Sequence, residues 1–327
     1  MTVAEMEHQL ERLVSSIPAS QIKRVFLTGC GGGIANLRQC EYVLNQHLEE
    51  GQVSSAFCAN LMVEKQRRVD EHALVIVGSF NGTMKEAVDA MRWTKARGAY
   101  VIGVTYVPGT PIATESNFPF LCDTLEAPEP ALSPMGAGVL LAYAIIKALT
   151  GRDELAQVWQ ALLSLRGICE QAVRLYDETK GHEFVARFRK SPMIYTVGGG
   201  LNYTNAYILA TCYLTEMQWI NACPVEASEF FHGVLEIADK DSCFVALLGR
   251  GESRPLEERV VKFLDRFTRG TFIIDAADFD MDAVDPQMQN VIATIVTARV
   301  IRSLIHRLSD ARRHPLTTRR YYLKYEY

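Results

Sequence analysis

The chain has 327 residues, 48% of them hydrophobic and 22% charged, which excludes disordered, collagen-like and coiled-coil classes. At roughly 100–200 residues per domain, this length suits two medium domains, each able to bury a core without staples. Lys and Arg total 34 against 38 Asp and Glu, a net charge of -4, so no global field draws in nucleic acid or anionic membranes.

The eight cysteines form no C-x-x-C pair and lack a histidine at zinc spacing. They read as small buried apolar residues in a reducing compartment. Glu5 and Glu7 stand where a signal peptide needs a basic region. The most apolar stretch, Val139 to Leu149, is interrupted by Lys147 and falls short of the ~20 residues of a membrane span. A cytoplasmic protein is expected.

In chain order, an amphipathic helix over 3–16 precedes an apolar strand, Arg24 to Thr28, which runs into Gly29-Cys30-Gly31-Gly32-Gly33 and a helical stretch to about Glu50. Strands are predicted at 55–58, 74–79, 100–106 and 118–122, with helices over 83–97 and 133–149. Apolar runs alternating with helices indicate a parallel sheet covered on both faces. Residues 151–190 are helical in periodicity and connect to a second unit that repeats the opening: strand Met193 to Val197, loop Gly198-Gly199-Gly200, helix from Asn202. Later strands are expected at 244–248 and 271–275, with helices over 255–268 and 286–308. The recurrence after about 170 residues points to duplicated α/β domains, 1–165 and 166–327.

A glycine loop between strand and helix either makes a tight turn or converges backbone N–H groups on an anion such as a sugar phosphate. Neither loop is a Walker A motif, and Ile34 occupies the third glycine position of a dinucleotide fingerprint counted from Gly29. A second polar turn, Ser79-Phe80-Asn81-Gly82-Thr83, also joins a strand to a helix, and such loops at strand carboxyl ends line the ligand crevice of a parallel sheet.

Residues 215–237 carry the most chemistry, with Glu216, Glu226, Glu229 and His232 among apolar neighbours. Read as a largely apolar helix, this stretch leaves each carboxylate exposed, paired, or desolvated into a proton carrier near neutrality. A lone histidine such as His232 serves equally as a helix cap or a satisfied core residue.

The Glu216 and His232 pair, with Ser228-Glu229-Phe230-Phe231-His232-Gly233-Val234-Leu235-Glu236, resembles the site segment of sugar isomerase (SIS) domain proteins. The isomerase half of glucosamine-6-phosphate synthase carries a catalytic Glu and then a Gly-Glu-x-x-His-Gly-Pro-Leu run at the same spacing. A closer resemblance is to the bacterial deglycases acting on 6-phosphofructose-aspartate and fructoselysine 6-phosphate. It rests on Glu216-Met217-Gln218-Trp219, Glu229-Phe230-Phe231-His232-Gly233 and the C-terminal His314-Pro315-Leu316-Thr317-Thr318-Arg319-Arg320-Tyr321 with Glu326-Tyr327, and spans nearly the whole chain.

The resemblance implies two tandem doubly wound parallel-sheet SIS domains and a deglycase. Such an enzyme cleaves a 6-phosphorylated fructosamine with water to glucose 6-phosphate and an amino acid or amine, without metal or redox cofactor, as a homodimer or larger homo-oligomer. It makes Glu216 and His232 catalytic, and Gly31, Gly32, Gly33, Ser79, Asn81, Thr83 and Glu229 substrate-binding. Four departures stand out. Gly33 ends the first loop where relatives carry a hydroxyl, Asn81 and Met84 replace Ser and Thr of the synthase pattern, and Val234 replaces a proline. Tyr322 stands where the synthase uses a lysine. A ketose–aldose isomerase would use the same pair and release no amine. A non-catalytic sugar-phosphate-binding regulator would need neither residue.

Overall fold

Five apolar runs in the first half of the chain lie side by side as one parallel sheet, and four in the second half form another. The computed structural model describes every residue except Lys65, Gln66, Leu323, Glu326 and Tyr327. It comprises two units, Met1–Ser164 and Leu165–Tyr327. Among the described residues no helix is long and apolar enough to cross a membrane.

The first unit opens with α1 (Val3–Ser16), started by a capping box in which Thr2 and Glu5 satisfy each other's backbone N–H. Then come β1 (Arg24–Gly29), α2 (Gly32–Asn36), α3 (Arg38–His47), β2 (Val53–Phe57), α4 (Cys58–Glu64) and β3 (Ala73–Gly78). They are followed by α5 (Lys85–Ala96), β4 (Tyr100–Thr105), α6 (Pro111–Glu115), β5 (Phe118–Leu121), α7 (Pro134–Thr150) and α8 (Leu155–Leu163). Strand order is β2-β1-β3-β4-β5. Every residue of β3 is buried, as a central strand covered on both faces requires. The apolar stretch too short to span a membrane belongs to α7, whose residues 134–146 are all buried. Ser133 caps its start and Gly151, at φ 76°, ends it.

The second unit contains α9 (Leu165–Thr179), α10 (Gly181–Phe188), β6 (Met193–Gly198), α11 (Tyr203–Tyr207), β7 (Asn221–Glu226), β8 (Cys243–Leu248), α12 (Arg254–Phe267), β9 (Thr271–Asp275) and α13 (Gln289–Arg312). Its order, β7-β6-β8-β9, repeats the first four positions of the other sheet. In both sheets the chain reverses direction of growth between the first strand and the third, which is where doubly wound folds place their ligands.

The structure bears out the expected α/β class and corrects several local readings. Residues 215–237 are not one helix. Glu216 is the penultimate residue of a π-helical stretch, Ile208–Met217, β7 follows, and Glu229 caps the 3-10 turn Phe230–His232 that ends in His232. β7 escaped notice because Pro224 interrupts its apolar pattern; at a sheet edge a strand tolerates proline. The helix expected to reach Glu50 is two helices joined at Leu37, and α4 and α6 were not anticipated.

At Gly33, where the resemblance led one to expect a hydroxyl residue, glycine is required for a steric reason. A Cβ there would lie 2.5 Å from the carbonyl oxygen of Gly78, and one on Gly29 would lie 2.8 Å from that same atom. The start of α2 therefore rides directly on the end of β3, backbone against backbone, and a serine at 33 has no room. Gly33→Ala is expected to lower unfolding free energy by about 1–3 kcal/mol or more through overpacking. Gly167→Ala, on an α9 face with no atom within 4 Å of the new Cβ, should gain up to about 1 kcal/mol. Urea denaturation of the two variants checks the contrast.

Candidate functional site

The loops after β1 and β3 in the first unit converge through the Gly33–Gly78 contact. Gly31, at φ 51°, precedes α2 with no side-chain cap. Gly33 donates its N–H to Cys30 O at 3.0 Å, so that group is spent on the turn. Among the described residues the N–H groups of Gly31 and Gly32 carry no hydrogen bond, as expected of an uncapped helix start.

Ser79 is 5% exposed and its N–H is used by Val104 O at 3.0 Å, leaving its hydroxyl as the group it can offer. Asn81 is half-buried, with Oδ1 3.5 Å from the Tyr106 hydroxyl, and Tyr106 stacks on Phe80 with ring centroids 5.4 Å apart. Thr83 is exposed just before α5. The turn between them needs glycine, because a Cβ on Gly82, at φ 69°, would fall 1.9 Å from Thr110 Oγ1.

The corresponding loop of the second unit is closed from within. Gly199 N–H donates to Glu257 Oε1 at 2.9 Å and Gly249 N–H to Glu257 Oε2 at 2.7 Å. Gly200 N–H donates to Glu226 Oε1 at 3.0 Å. Glu257 is 2% exposed, and burial pushes its carboxyl up to about 7 against the pull of those N–H groups and Arg254. A built-in carboxylate thus sits where the first loop has none. Sequence reading missed Glu257, although its place three and seven residues before the buried Val260 and Leu264 puts it on the inward face of α12.

Glu216 lies at the end of the π-helical stretch, in which Gln218 N–H reaches back five residues to Tyr213 O at 2.9 Å. Such widened turns recur at functional sites. Its side chain is 33% exposed, and Arg319 Nη2 lies 3.0 Å from its Oε1. Burial raises the Glu216 carboxyl above its ordinary value, and the Arg319 charge and hydrogen bond partly offset this.

Arg319 is itself fixed by the carbonyls of Leu316 (2.7 Å) and Thr318 (3.0 Å). The surrounding tail is fastened nearby: Gln218 Nε2 donates to His314 O at 2.7 Å and Arg312 Nη2 to Gln218 O at 3.1 Å. The Arg320 guanidinium lies 4.2 Å from the Trp219 ring centre. Trp219 sits at φ 55°, a left-handed conformation that costs a bulky residue about 1–3 kcal/mol and persists only where its surroundings fix it. Glu326 and Tyr327 of the tail motif lie outside the described residues. Arg319 had been noticed only as part of that motif.

His232 and Glu229 are both exposed. His232 N–H caps Glu229 O at 3.0 Å, and Glu229 N–H bonds Glu226 O at 3.0 Å, so the turn presents both side chains outward after β7. The second unit thus holds a half-buried carboxylate and an imidazole on elements that flank one strand. The first unit holds two glycine-bearing loops at its switch point. These are the features of a two-domain sugar isomerase (SIS) protein.

No family model matches the chain. It is 30% identical over 325 residues to fructosamine deglycase FrlB of Bacillus subtilis (strain 168), covering 99% of this chain and 98% of that protein. It is 27% identical over 320 residues to fructoselysine 6-phosphate deglycase of Escherichia coli (strain K12), covering 95% and 88%. A solved Bacillus subtilis protein, provisionally described as a phosphosugar isomerase, superposes with a TM-score of 0.93 at 29% identity over 98% of this chain and 97% of that one. The chain belongs to the fructosamine deglycase family, as the motifs around Glu216 and His232 led one to expect.

The Arg319 contact has a testable electrostatic consequence. In Arg319→Ala both influences that lower the Glu216 carboxyl are gone while burial remains. Its proton is then held to higher pH, and the acid limb of kcat should move upward. Arg319→Lys, keeping the charge, should move it less. Unchanged limbs in pH–rate profiles of both variants would disconnect Arg319 from Glu216.

Proposed function

We propose that the chain is a fructosamine 6-phosphate deglycase in which Glu216 moves the carbon-bound proton and His232 handles the protons on oxygen and nitrogen. The reading is carried by Glu216, half-buried with its carboxyl raised by burial above its ordinary value, in a chain 30% identical to a fructosamine deglycase over 99% of its length. The ring-opened substrate bears a ketone at C2 and the amine on C1. Removal of a C1 proton by Glu216 gives an enolamine, and return of a proton to C2 gives the C1 imine. Water adds to C1, the amine leaves with a proton from His232, and the aldehyde of glucose 6-phosphate remains. Every step is proton transfer or hydration, for which a carboxylate and an imidazole suffice.

In this reading the 6-phosphate lies against the N–H groups of Gly31 and Gly32, the Ser79 hydroxyl and Thr83, with Gly33 supplying the close approach of backbone to β3. Asn81 borders the sugar, and Glu229 serves a ring hydroxyl. The Glu257 carboxylate argues for this loop rather than the second, because an anion cannot share the two N–H groups it already occupies. A reducing, cytoplasmic setting suits the eight free thiols.

Assay of glucose 6-phosphate and free amine released from a panel of synthetic fructosamine 6-phosphates tests the reaction. Equal release of both is expected, and Glu216→Gln, which keeps the shape and removes the proton carrier, should reduce it by at least ~10²-fold. Isomerised sugar phosphate with no free amine would favour the ketose–aldose isomerase instead.

The exposure of His232 supports a homodimer in which this residue serves the partner's substrate. Mixing the inactive Glu216→Gln and His232→Ala chains should then restore activity in the mixed dimer. No recovery in a verified mixed dimer would place both residues in the same active site of one chain.

A further inference from the structure

The register of β1 and β2 places two cysteines together beside the first glycine loop. Gly29 pairs with Phe57 at the ends of these parallel strands, and the next residues are Cys30, in the loop, and Cys58, which begins α4. Adjacent strands are about 4.7–4.9 Å apart, within the Cα separation of roughly 4.4–6.8 Å that a disulfide spans. Cys30 packs against the buried core cluster to which Cys58 belongs. Cys58 is 0% exposed, and Thr28 Oγ1 holds its sulfur at 3.6 Å. Cys30 is half-buried and reachable.

We propose that Cys30 and Cys58 form a reversible thiol–disulfide pair whose closure ties the first glycine loop to the end of β2 and weakens sugar-phosphate binding there. The consequence for binding rests on the phosphosugar reading above; the disulfide itself does not.

The chemistry balances with a low-molecular-weight disulfide such as glutathione disulfide as oxidant. The Cys30 thiolate attacks one of its sulfurs and expels a glutathione thiolate, giving a mixed disulfide. Cys58 loses its proton and attacks Cys30 Sγ, expelling the second glutathione. Two protein thiols are oxidised, one external disulfide is reduced, and the two protons end on the two glutathiones.

The environments suit these separate roles. The hydrogen bonds from Cys58 hold the Cys30 thiol below its ordinary value, while that contact and burial push Cys58 up. Cys30 is therefore the attacking sulfur and Cys58 the resolving one. By contrast, burial pushes Cys122, Cys169 and Cys212 up to about 12. Closing the bond brings the two sulfurs to about 2.05 Å. Cys58 is fixed within the core, so the movement falls on the Cys30 loop, whose carbonyl anchors the Gly33 N–H. The N–H groups of Gly31 and Gly32 shift with it.

The full-length protein is titrated with glutathione disulfide, trapped by alkylation and mapped by peptide mass, with and without glucose 6-phosphate. The expected first product is the Cys30–Cys58 disulfide, absent in Cys30→Ser and Cys58→Ser and reversed by dithiothreitol. Glucose 6-phosphate should raise the glutathione disulfide to glutathione ratio needed to form it at equilibrium while glucose does not, by reciprocal linkage. Affinity for glucose 6-phosphate should fall roughly tenfold on oxidation, the effect of one lost charge-assisted hydrogen bond.

Oxidation that reaches Cys223 or Cys243 first, leaving Cys30 and Cys58 reduced, would overturn the pair. A mapped disulfide with equal glucose 6-phosphate affinity in both forms would overturn its coupling to the loop. A mapped disulfide in a protein whose reduced form prefers the phosphate no more than glucose would instead overturn the phosphosugar reading and leave the pair standing.

Discussion

Backbone N–H groups converging at a switch point need an acceptor once they are buried, and the two units differ in whether one is built in. A buried donor left unmatched costs about 1–3 kcal/mol, so the loop of the second sheet cannot simply be empty of acceptors. It is served by Glu257, whose two oxygens take Gly199 and Gly249, and by Glu226, which takes Gly200. The first sheet has the same strand order around its switch point. There the N–H groups of Gly31 and Gly32 make no hydrogen bond to a carboxylate among the described residues. The two glycine loops thus differ: a glutamate on α12 has made the second one part of the core.

The same rule governs the carboxylate proposed to do the chemistry. Glu257 and Glu216 are both raised by burial, yet they differ in what surrounds them. Glu257 is held by main-chain donors on both oxygens and is shut from solvent, which makes it a structural anion. Glu216 has one side-chain partner, Arg319, and a third of its side chain exposed. A proton carrier must exchange its proton with substrate, so a partner that can give way suits Glu216 better than fixed amides. The tail that carries Arg319 is tied to the core through Gln218 and His314, and the left-handed turn at Trp219 marks where the chain is bent to receive it.

Much of this was legible in the sequence because the strong signals are local. The strand and glycine-loop openings at Arg24 and Met193, the long apolar helix over α7 and the spacing of Glu216 and His232 each sit within a short window. What was not legible depends on contacts between distant residues. β7 looks unlike a strand because Pro224 breaks it, and only its place at a sheet edge makes that acceptable. Gly33 looked like a missing phosphate ligand, whereas its conformation is dictated by the Gly78 carbonyl 45 positions along the chain. Glu257 was one of several acidic residues on an amphipathic helix until the loop it caps was seen.

The Gly33 constraint carries through to recognition. With Cβ excluded at that position, the first loop cannot add a hydroxyl of its own, so the phosphate site proposed above has main-chain N–H groups supplemented by Ser79 and Thr83 on the neighbouring loop. Main-chain donors match the tetrahedral shape and charge of a phosphate but are indifferent to what it is attached to. Discrimination among fructosamine phosphates must then come from groups that meet the sugar hydroxyls and the amine. In the proposed site those would be side chains on exposed turns such as Glu229 and His232, the parts of a fold most free to vary without disturbing its core.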